Sequence, residues 1–513
     1  MTRAGRVLMV QGTASSAGKS VLVTGLCRLF RQDGWRVAPF KAQNMSNNSY
    51  VTAAGEEMGR AQVEQAYAAG VEPDVRMNPI LLKPEADHRS QVVVLGRPAF
   101  HLSGLDFRTR KAALWPVVTR ALDELRAQYD LVLIEGAGSP AEINLRDADI
   151  VNMRVARYAQ APVLLVGDID RGGVFAHLYG TLALLSAEER ALVRGLVINK
   201  FRGSRELLAP GLDLIAKLTG VPVLGVVPYL PDLRIAAEDA ATLDDAQPPR
   251  ADASLDVAVV RLPRIANFDD IDPLMAEPEV RVRFVARPEA LGRPDLIVLP
   301  GTKATIADLA WLRATGLATA VRAAAAHGAA VLGICGGYQM LGRVVRDPQH
   351  VESDQLEAAG LGLLPAETEF APVKATHRVT AEVTTAWGLF EGCAGLEVRG
   401  YEIHMGRTHA GANTAPFRLR SRSGEPCVAA DGCLSADGWV AGTYLHGLFE
   451  NDALRVQMLR NLARRKGVAF RPGLPARRAE AYDRLVACLR AALDVAALYR
   501  IVGLEAPTWA PSA

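Results

Sequence analysis

Short apolar runs alternate with longer stretches of helical periodicity over the first 230 residues of the chain. Several of these runs are continuous in Val, Leu and Ile, which is typical of parallel strands covered on both faces. The predicted strands are residues 7–10, 37–40, 131–134, 163–166, 196–199 and 223–227. The alternation predicts a doubly wound α/β domain, in which ligands bind beyond the carboxyl ends of the strands.

The pattern breaks after residue 238, where acidic residues and a Pro-Pro pair replace bulky apolar side chains. A second α/β series follows, with predicted strands at 257–261, 296–300, 330–334 and 440–445, and residues 453–498 have a helical pattern. We therefore predict two doubly wound α/β domains and a C-terminal helical segment. The predicted limits are 1–238 for the first domain, 239–254 for a linker, 255–452 for the second domain and 453–513 for the helical segment.

Composition narrows the classes of partner. The 513 residues exceed what one core holds, and the formal net charge of +2 favours neither a nucleic acid nor an anionic membrane. No apolar run approaches the roughly 18 residues of a membrane span. The six cysteines include no CxxC pair, so they predict neither a zinc site nor a disulfide framework. We expect a reducing compartment, the cytoplasm, and no motif indicates an oligomeric state.

The segment QGTASSAGKS, residues 11–20, lies between a predicted strand and a predicted helix. A standard phosphate-binding loop has four residues between its glycines, whereas five stand here. Small residues still let backbone amides curl around phosphate oxygens at the helix start. Lys19 would reach the β- and γ-phosphates of ATP, and the Ser20 hydroxyl would hold Mg²⁺. The predicted nucleotide-binding residues of this loop are Gly12, Thr13, Ser16, Ala17, Gly18, Lys19 and Ser20.

A Mg²⁺–nucleotide site also needs an acidic group at the tip of another strand. Glu135 closes the apolar run 131–134 and is followed by small residues, although a capping glutamate in a βα turn has the same pattern. An amide-rich segment follows the strand at 37–40. Its side chains bind either a polar substrate or the backbone of the turn in which they lie. The candidates there are Lys41, Gln43, Asn44 and Asn47.

A second candidate site surrounds Cys335, which follows the predicted strand 330–334 and precedes a helical pattern. A cysteine on such a tight turn is exposed to substrate and can act as a nucleophile. The alternative is a buried core cysteine, which the flanking glycines argue against. A cysteine nucleophile needs a base, and spacing alone leaves His446 and His404 both open.

Several motifs of the first domain carry a family resemblance. The spacing of the loop, EGAGS at 135–139 and INKFRG at 198–203 resemble the dethiobiotin synthetase-like ATP-dependent ligases. More narrowly, KAQNMSNNSY, GEEMGRAQ and MNPILLKP resemble the cobyric acid synthases. Members use ATP to turn a carboxylate into an acyl phosphate that nitrogen attacks. The resemblance implies that Asn199 lies near the adenine, and that Glu57 or Glu135 lies near the metal or substrate, beside Ser20.

The second domain resembles a class I glutamine amidotransferase through VLGICGGYQMLG and GTYLHGLF. The resemblance implies that Cys335 forms a glutamyl thioester and that His446 relays protons. Many class I enzymes carry His-x-Glu, but Gly447 and Leu448 follow His446 here. Either another acid orients His446, or glutaminase activity is weak until the first domain is loaded.

The same resemblance implies roles for further residues near Cys335 and His446. It implies that backbone amides of Gly301 and Gly336 stabilise an oxyanion and that Gln339 contacts glutamine. GYEIHMGRT, residues 400–408, resembles a segment typical of the cobyric acid synthases. Its members Tyr401, Glu402 and His404 are therefore expected on the substrate side or at an interface.

Together the two sites indicate a glutamine-hydrolysing amidoligase that uses ATP and Mg²⁺. The resemblance covers residues 5–450 and implies the substrate, adenosylcobyrinic acid a,c-diamide, amidated at its b, d, e and g carboxylates to adenosylcobyric acid in cobalamin biosynthesis. L-glutamine and ATP are the other implied substrates. One alternative is cobyrinic acid a,c-diamide synthase. Another is a nonenzymatic P-loop regulatory ATPase with a degenerate amidotransferase domain.

Overall fold

The computed structural model describes residues 4–86, 88–103, 107–231, 233, 235, 250, 252–411, 415–473 and 478–507. Most of the predicted linker, residues 239–249 and 251, lies outside these ranges. The predicted limits of the two domains therefore stay a prediction. Among the described residues, no helix combines the length and apolar character needed to cross a membrane. All six cysteines are free thiols.

The strands and helices of the N-terminal domain lie between residues 6 and 228. Its strands are β1 (Arg6–Gly12), β2 (Val37–Phe40), β3 (Gln43–Met45), β4 (Ser49–Val51), β5 (Glu57–Gly59), β6 (Ile80–Ala86), β7 (Arg89–Val94), β8 (Arg97–Ser103), β9 (Leu131–Glu135), β10 (Val163–Asp168), β11 (Val193–Phe201) and β12 (Val223–Pro228). Its helices are α1 (Lys19–Gln32), α2 (Arg60–Ala69), α3 (Phe107–Gln128), α4 (Met153–Ala159), α5 (Val174–Leu184), α6 (Ala187–Leu192) and α7 (Arg205–Thr219).

Six of these strands form a parallel sheet in the order β12-β11-β10-β1-β9-β2. All six predicted strands are confirmed, and helices lie on both faces as a doubly wound fold requires. Because β1 and β9 are parallel neighbours, the loop after β1 and Glu135 at the end of β9 lie at the same edge of the sheet. A smaller sheet, β3-β6-β7-β8, was not predicted.

The second domain follows the gap in the described residues. Its strands are β13 (Leu255–Val260), β14 (Ile265–Ala266), β15 (Val280–Val285), β16 (Leu296–Leu299), β17 (Gly301–Thr302), β18 (Ala330–Ile334), β19 (Val344–Arg346), β20 (Glu357–Ala359), β21 (Ala366–Val383), β22 (Glu397–Ala410), β23 (Phe417–Arg422), β24 (Glu425–Asp431), β25 (Cys433–Leu434) and β26 (Val440–Thr443). Its helices are α8 (Asp272–Ala276), α9 (Thr305–Ala314), α10 (Leu317–Ala326), α11 (Gly336–Leu341) and α12 (Asp452–Lys466).

Its main sheet has the order β15-β13-β16-β18-β26-β25, parallel except for the edge strand β25. The four predicted strands of this domain are confirmed. The neighbours β18 and β26 end just before Cys335 and His446, so the sheet brings both candidate residues to one edge. A second sheet is built on the long antiparallel pair β21 and β22 and carries residues 400–408 to that edge.

The chain ends in α13 (Arg478–Ala492) and α14 (Val495–Val502), which return to the N-terminal domain. Tyr482, Leu485 and Leu489 of α13 are buried in one apolar cluster with Leu22 and Leu26 of α1. The helices of the predicted C-terminal segment therefore pack against different domains. Helix α12 packs into the core of the second domain, whereas α13 and α14 cover a face of the first sheet.

Candidate active sites

The phosphate loop connects β1 to α1 and folds back over its own lysine. Lys19 Nζ donates to the carbonyl oxygens of Ala14 at 3.0 Å and Gly138 at 3.1 Å. Thr13 N–H donates to Val166 O at 2.9 Å, which ties the loop to the neighbouring strand. The lysine ammonium thus lies between two backbone carbonyl oxygens, which an incoming phosphate would replace.

Gly18 is the residue that allows α1 to start in this position. Its φ is 93°, in the left-handed region, and a Cβ built there would stand 2.0 Å from Asn199 Nδ2. The same Asn199 amide donates to Ala17 O at 2.9 Å. The structure therefore places Asn199 as a brace for the loop, and its expected contact with adenine stays a prediction.

Ser20 and Glu135 come together as the sequence predicts for a metal site. Ser20 Oγ lies 2.9 Å from Glu135 Oε1. Two adjacent ligands of an octahedral Mg²⁺, each at about 2.0–2.1 Å, stand about 2.9 Å apart. Both are hard oxygen donors, so this pair fits Mg²⁺. The buried carboxylate also receives Lys41 Nζ at 2.8 Å and Gln65 Nε2 at 2.5 Å, which fix its orientation.

A cavity of 1560 Å³ opens beside the loop. Lys41, Gln43 and Asn44 line it together with Lys19 and Ser20. The Gln43 side-chain oxygen is buried with no hydrogen-bond partner among the described residues, as expected where a ligand supplies one.

The other candidates of the amide-rich segment divide between the cavity and the fold. Asn44 Nδ2 donates to Gln62 Oε1 at 2.9 Å, so this amide also holds the segment to α2. Asn47 donates to Pro84 O at 3.2 Å and is not among the residues that line the cavity. A substrate contact by Asn47 stays a prediction, and the structure gives this amide a local partner instead.

Cys335 sits on a strained turn between β18 and α11. Its φ of 53° and ψ of −111° are rare for a residue with a side chain, and such strain concentrates at functional sites. The turn requires a glycine two residues on, because a Cβ on Gly337 would stand 1.9 Å from Leu299 O. The thiol contacts Ile403 O at 3.4 Å and lies against His446.

The acid that orients His446 is Asp270, which sequence reasoning missed. His446 Nδ1 lies 2.7 Å from Asp270 Oδ2, and Gly447 N–H donates to the other oxygen at 2.6 Å. All three groups are buried. Asp270 stands 176 residues before His446 in the chain, in a short helical turn after β14. The signal that could have found it is the acidic pair at 269–270, close after the first strand of the domain.

This arrangement controls the charge of the imidazole. Burial alone would lower the pKa of His446, but the charge and hydrogen bond of Asp270, with the adjacent Cys335 sulfur, raise it to about 10. A protonated imidazole within reach of a cysteine sulfur is the arrangement of a nucleophile paired with a proton donor. The site can therefore attack a carbonyl carbon and return a proton to the leaving group.

The pocket at Cys335 also contains Gly301 and Gln339. Gly301 lies directly against the His446 ring, and Gly336 is the first residue of α11 after the cysteine. Gln339 is buried between Tyr444, to whose hydroxyl it donates at 3.1 Å, and Thr305, from which it accepts at 3.0 Å. The oxyanion and glutamine-binding roles of these residues stay predictions.

Tyr401, Glu402 and His404 lie at this second site and not at the ATP cavity. Tyr401 stacks on the His446 ring with centroids 5.2 Å apart, and His404 lines the pocket of Cys335. Glu402 is buried and pairs with Arg422 at 2.7 Å. These residues lie beside Cys335 because β22 runs past the end of β26. Tyr401 also contacts Tyr50 of the first domain, as the interface alternative expects, and a substrate-side role stays a prediction.

Glu57, expected near the metal or the substrate, forms ion pairs that the sequence did not predict, and its expected role stays a prediction. It is buried at the boundary between the domains, paired with Lys83 of β6 and with Lys374 of β21 at 2.5 Å. Burial opposes its negative charge, but the two ammonium groups outweigh that effect and lower its pKa. Burial lowers the pKa of Lys374 to about 8. The structure therefore makes Glu57 an interdomain ion-pair residue.

A nucleotide loop in one domain and a Cys–His–Asp relay in the other define a glutamine-hydrolysing amidoligase. Residues 8–243 match the family described as "CobQ/CobB/MinD/ParA nucleotide binding domain", and residues 256–454 match the "CobB/CobQ-like glutamine amidotransferase domain". The chain belongs to the cobyric acid synthase family.

Full-length relatives support that membership. The chain is 55% identical to the cobyric acid synthase of Sorangium cellulosum (strain So ce56), over 97% of this chain and 99% of the relative. It is 52% identical to that of Pelotomaculum thermopropionicum, over 98% and 97%. It is 50% identical to that of Yersinia enterocolitica, over 96% and 98%.

Proposed function

We propose that this chain amidates the b, d, e and g carboxylates of adenosylcobyrinic acid a,c-diamide with ammonia from L-glutamine, forming adenosylcobyric acid in cobalamin biosynthesis. The observation that carries the proposal is the pairing of the Ser20–Glu135 site with the Cys335–His446–Asp270 site in a chain so similar to named cobyric acid synthases. The predicted cytoplasmic location stays part of this proposal.

The first reaction takes place in the cavity at the phosphate loop. A substrate carboxylate oxygen attacks the γ-phosphorus of ATP, the bond to the β-phosphate oxygen breaks, and ADP leaves an acyl phosphate. Lys19 contacts the transferring phosphates once they displace its carbonyl partners. Ser20 and Glu135 would hold Mg²⁺, which supplies charge neutralisation at the phosphates.

The second reaction takes place at Cys335. The thiolate attacks the side-chain amide carbon of glutamine, and the His446 imidazolium gives its proton to the departing nitrogen, so that ammonia and a thioester form. Water then attacks the thioester with His446 as base, releasing glutamate. Asp270 holds the imidazole in the tautomer and orientation that both steps need.

The two reactions meet when ammonia attacks the acyl phosphate and inorganic phosphate departs, leaving the amide. Lys83 of the first domain lines the pocket of Cys335, and the ion pairs Glu57–Lys374 and Glu85–Lys303 join the domains beside it. This contact between the domains beside the Cys335 pocket supports direct transfer of ammonia between the sites, which avoids its protonation in bulk solvent.

The test is product analysis with the purified protein, ATP, L-glutamine and one corrinoid at a time. We expect amidation of adenosylcobyrinic acid a,c-diamide up to adenosylcobyric acid. Activity confined to cobyrinic acid would instead identify a cobyrinic acid a,c-diamide synthase. Glutamine- and ATP-dependent turnover with neither corrinoid changed would overturn the corrinoid proposal altogether.

A further inference from the structure

The short segment that carries Asp270 is held by the N-terminal domain. Asn267 Nδ2 donates to Ser49 O at 2.6 Å, across 218 residues of sequence. Next to it, Phe268 N–H donates to Asn48 Oδ1 at 3.0 Å. All of these groups are buried, so the bonds are shielded from competing water. The segment that carries Asp270 is therefore held by two consecutive residues of the N-terminal domain.

The following residue of the segment is bound by an arginine. Arg60, the first residue of α2, places Nε 3.1 Å from Asp269 Oδ2, and its side chain is only 2% exposed. The same guanidinium lies 3.2 Å from Glu64 and 3.3 Å from Glu450. Burial raises the pKa of Asp269 to about 6 even though Arg60 opposes that rise. Without the arginine, a buried carboxyl next to Asp270 would lose its compensating charge.

Arg60 is also linked to the His446 imidazole by successive contacts between aromatic rings. Its Cζ lies 5.1 Å from the centroid of the Tyr50 ring. Tyr50 contacts Tyr401 with centroids 4.9 Å apart, and Tyr401 stacks on His446 at 5.2 Å. The guanidinium is thus connected to the residue before Asp270 by an ion pair and to His446 by successive ring contacts.

The same helix reaches the synthetase site. Gln65 stands five positions after Arg60 on α2, about 7.5 Å along the helix axis. Its amide donates to Glu135 Oε2 at 2.5 Å, the carboxylate that faces Ser20. One buried helix therefore contacts the predicted metal carboxylate from its middle and the segment that carries Asp270 from its first residue.

We propose that Arg60 is a positioning residue through which the N-terminal domain holds the Asp270–His446 pair in its working geometry. Glutamine hydrolysis at Cys335 then depends on contact with the synthetase domain, although the substrate need not touch Arg60. This inference rests on the proposed glutaminase activity of the second domain. It assigns a role to a residue outside both reacting sites.

The test compares Arg60→Gln, Arg60→Lys and wild type in two assays: glutamine hydrolysis, and corrinoid amidation supplied with ammonium chloride. For Arg60→Gln we expect kcat of glutamine hydrolysis to fall on the order of 10- to 100-fold, since small displacements of a catalytic pair have such effects. The KM for glutamine and the ammonia-supported rate stay within about twofold of wild type, and Arg60→Lys recovers part of the lost kcat.

Arg478→Gln is the matched control, because Arg478 pairs with Glu64 and Glu450, the partners that Arg60 has besides Asp269. Its glutaminase kcat should stay within about twofold of wild type. An Arg60→Gln protein with wild-type kcat, or with both assays reduced equally, overturns the inference. If Arg60→Gln does not fold, the test uses Asn48→Ala, which removes the bond to Phe268 N–H. A selective loss of glutamine hydrolysis in that variant supports the inference, and an unchanged kcat overturns it. A wild-type protein that hydrolyses no glutamine refutes the proposed function itself.

Discussion

Replacing Asp270 by Asn tests the one residue of the Cys335–His446–Asp270 site that the sequence did not predict. The Gly447 N–H donates to Asp270 Oδ1 at 2.6 Å, so the asparagine oxygen is expected to keep that place. Its NH₂ group then faces His446 Nδ1, now 2.7 Å from Asp270 Oδ2. An amide donor there requires an unprotonated Nδ1, which puts the imidazole proton on Nε2. The ring can then no longer take a proton from Cys335.

The structure and the chemistry of such relays set the size of the effect. Replacement of the orienting acid by its amide lowers kcat on the order of 10³- to 10⁴-fold when the histidine is left in the wrong tautomer. That corresponds to about 4 to 5 kcal/mol of transition-state stabilisation. The pKa of His446, about 10 beside Asp270, should also fall, because burial remains and the principal opposing charge is gone.

The assay is release of glutamate from glutamine, with a histidine titration followed by NMR on the same protein. Ammonia-supported amidation serves as the internal control and should persist. Asp256→Asn, an acid of the same domain paired with Arg281 and Arg283, is the matched variant and should keep its glutaminase rate. A kcat for Asp270→Asn within tenfold of wild type, or a His446 that still titrates near 10, would refute the reasoning.

Three further outcomes are expected. Glu135→Gln should lower ATP-dependent ADP release on the order of 100-fold or more while glutamine hydrolysis continues, because Glu135 faces Ser20 at the predicted Mg²⁺ site and does not line the Cys335 pocket. Gly18→Ala should cost on the order of 1–3 kcal/mol in urea unfolding and weaken ATP binding, since φ is 93° and Asn199 occupies the Cβ position. The folded-state pKa of His446, about 10, exceeds the roughly 6.5 of an unfolded imidazole. Its protonated form therefore stabilises the fold fully below about pH 6.5, and the wild-type unfolding free energy should fall from pH 7 to 10 more steeply than that of Asp270→Asn.

The sheets could be predicted because their strands are buried on both faces. The run 131–134 lies inside β9, every residue of which is buried, so its continuous apolar pattern has a direct physical cause. In contrast, β21 is an 18-residue strand with a mixed pattern of buried and partly exposed positions. A sheet that is half solvated leaves a weak signal, and its strands were not separately predicted.

The residues missed at the sites are missed for another reason. Asp270 and Arg60 act through partners 176 and 209 positions away, and local periodicity contains no information on such pairs. The same holds for α13, whose apolar face predicts a helix but not the domain that it covers. The resemblance implies that Glu57 lies near the metal or substrate, and no local pattern indicates its two lysine partners from different parts of the chain.

The most direct test of the account is the fate of the amide nitrogen of glutamine. The protein is incubated with ATP, adenosylcobyrinic acid a,c-diamide and glutamine labelled with ¹⁵N in its side-chain amide, in the presence of unlabelled ammonium, and the corrinoid is analysed by mass spectrometry. We predict ¹⁵N at the b, d, e and g amides in wild type, and unlabelled amides from Cys335→Ser. Amides formed without ¹⁵N by the wild-type protein would contradict transfer of ammonia from Cys335 to the ATP site.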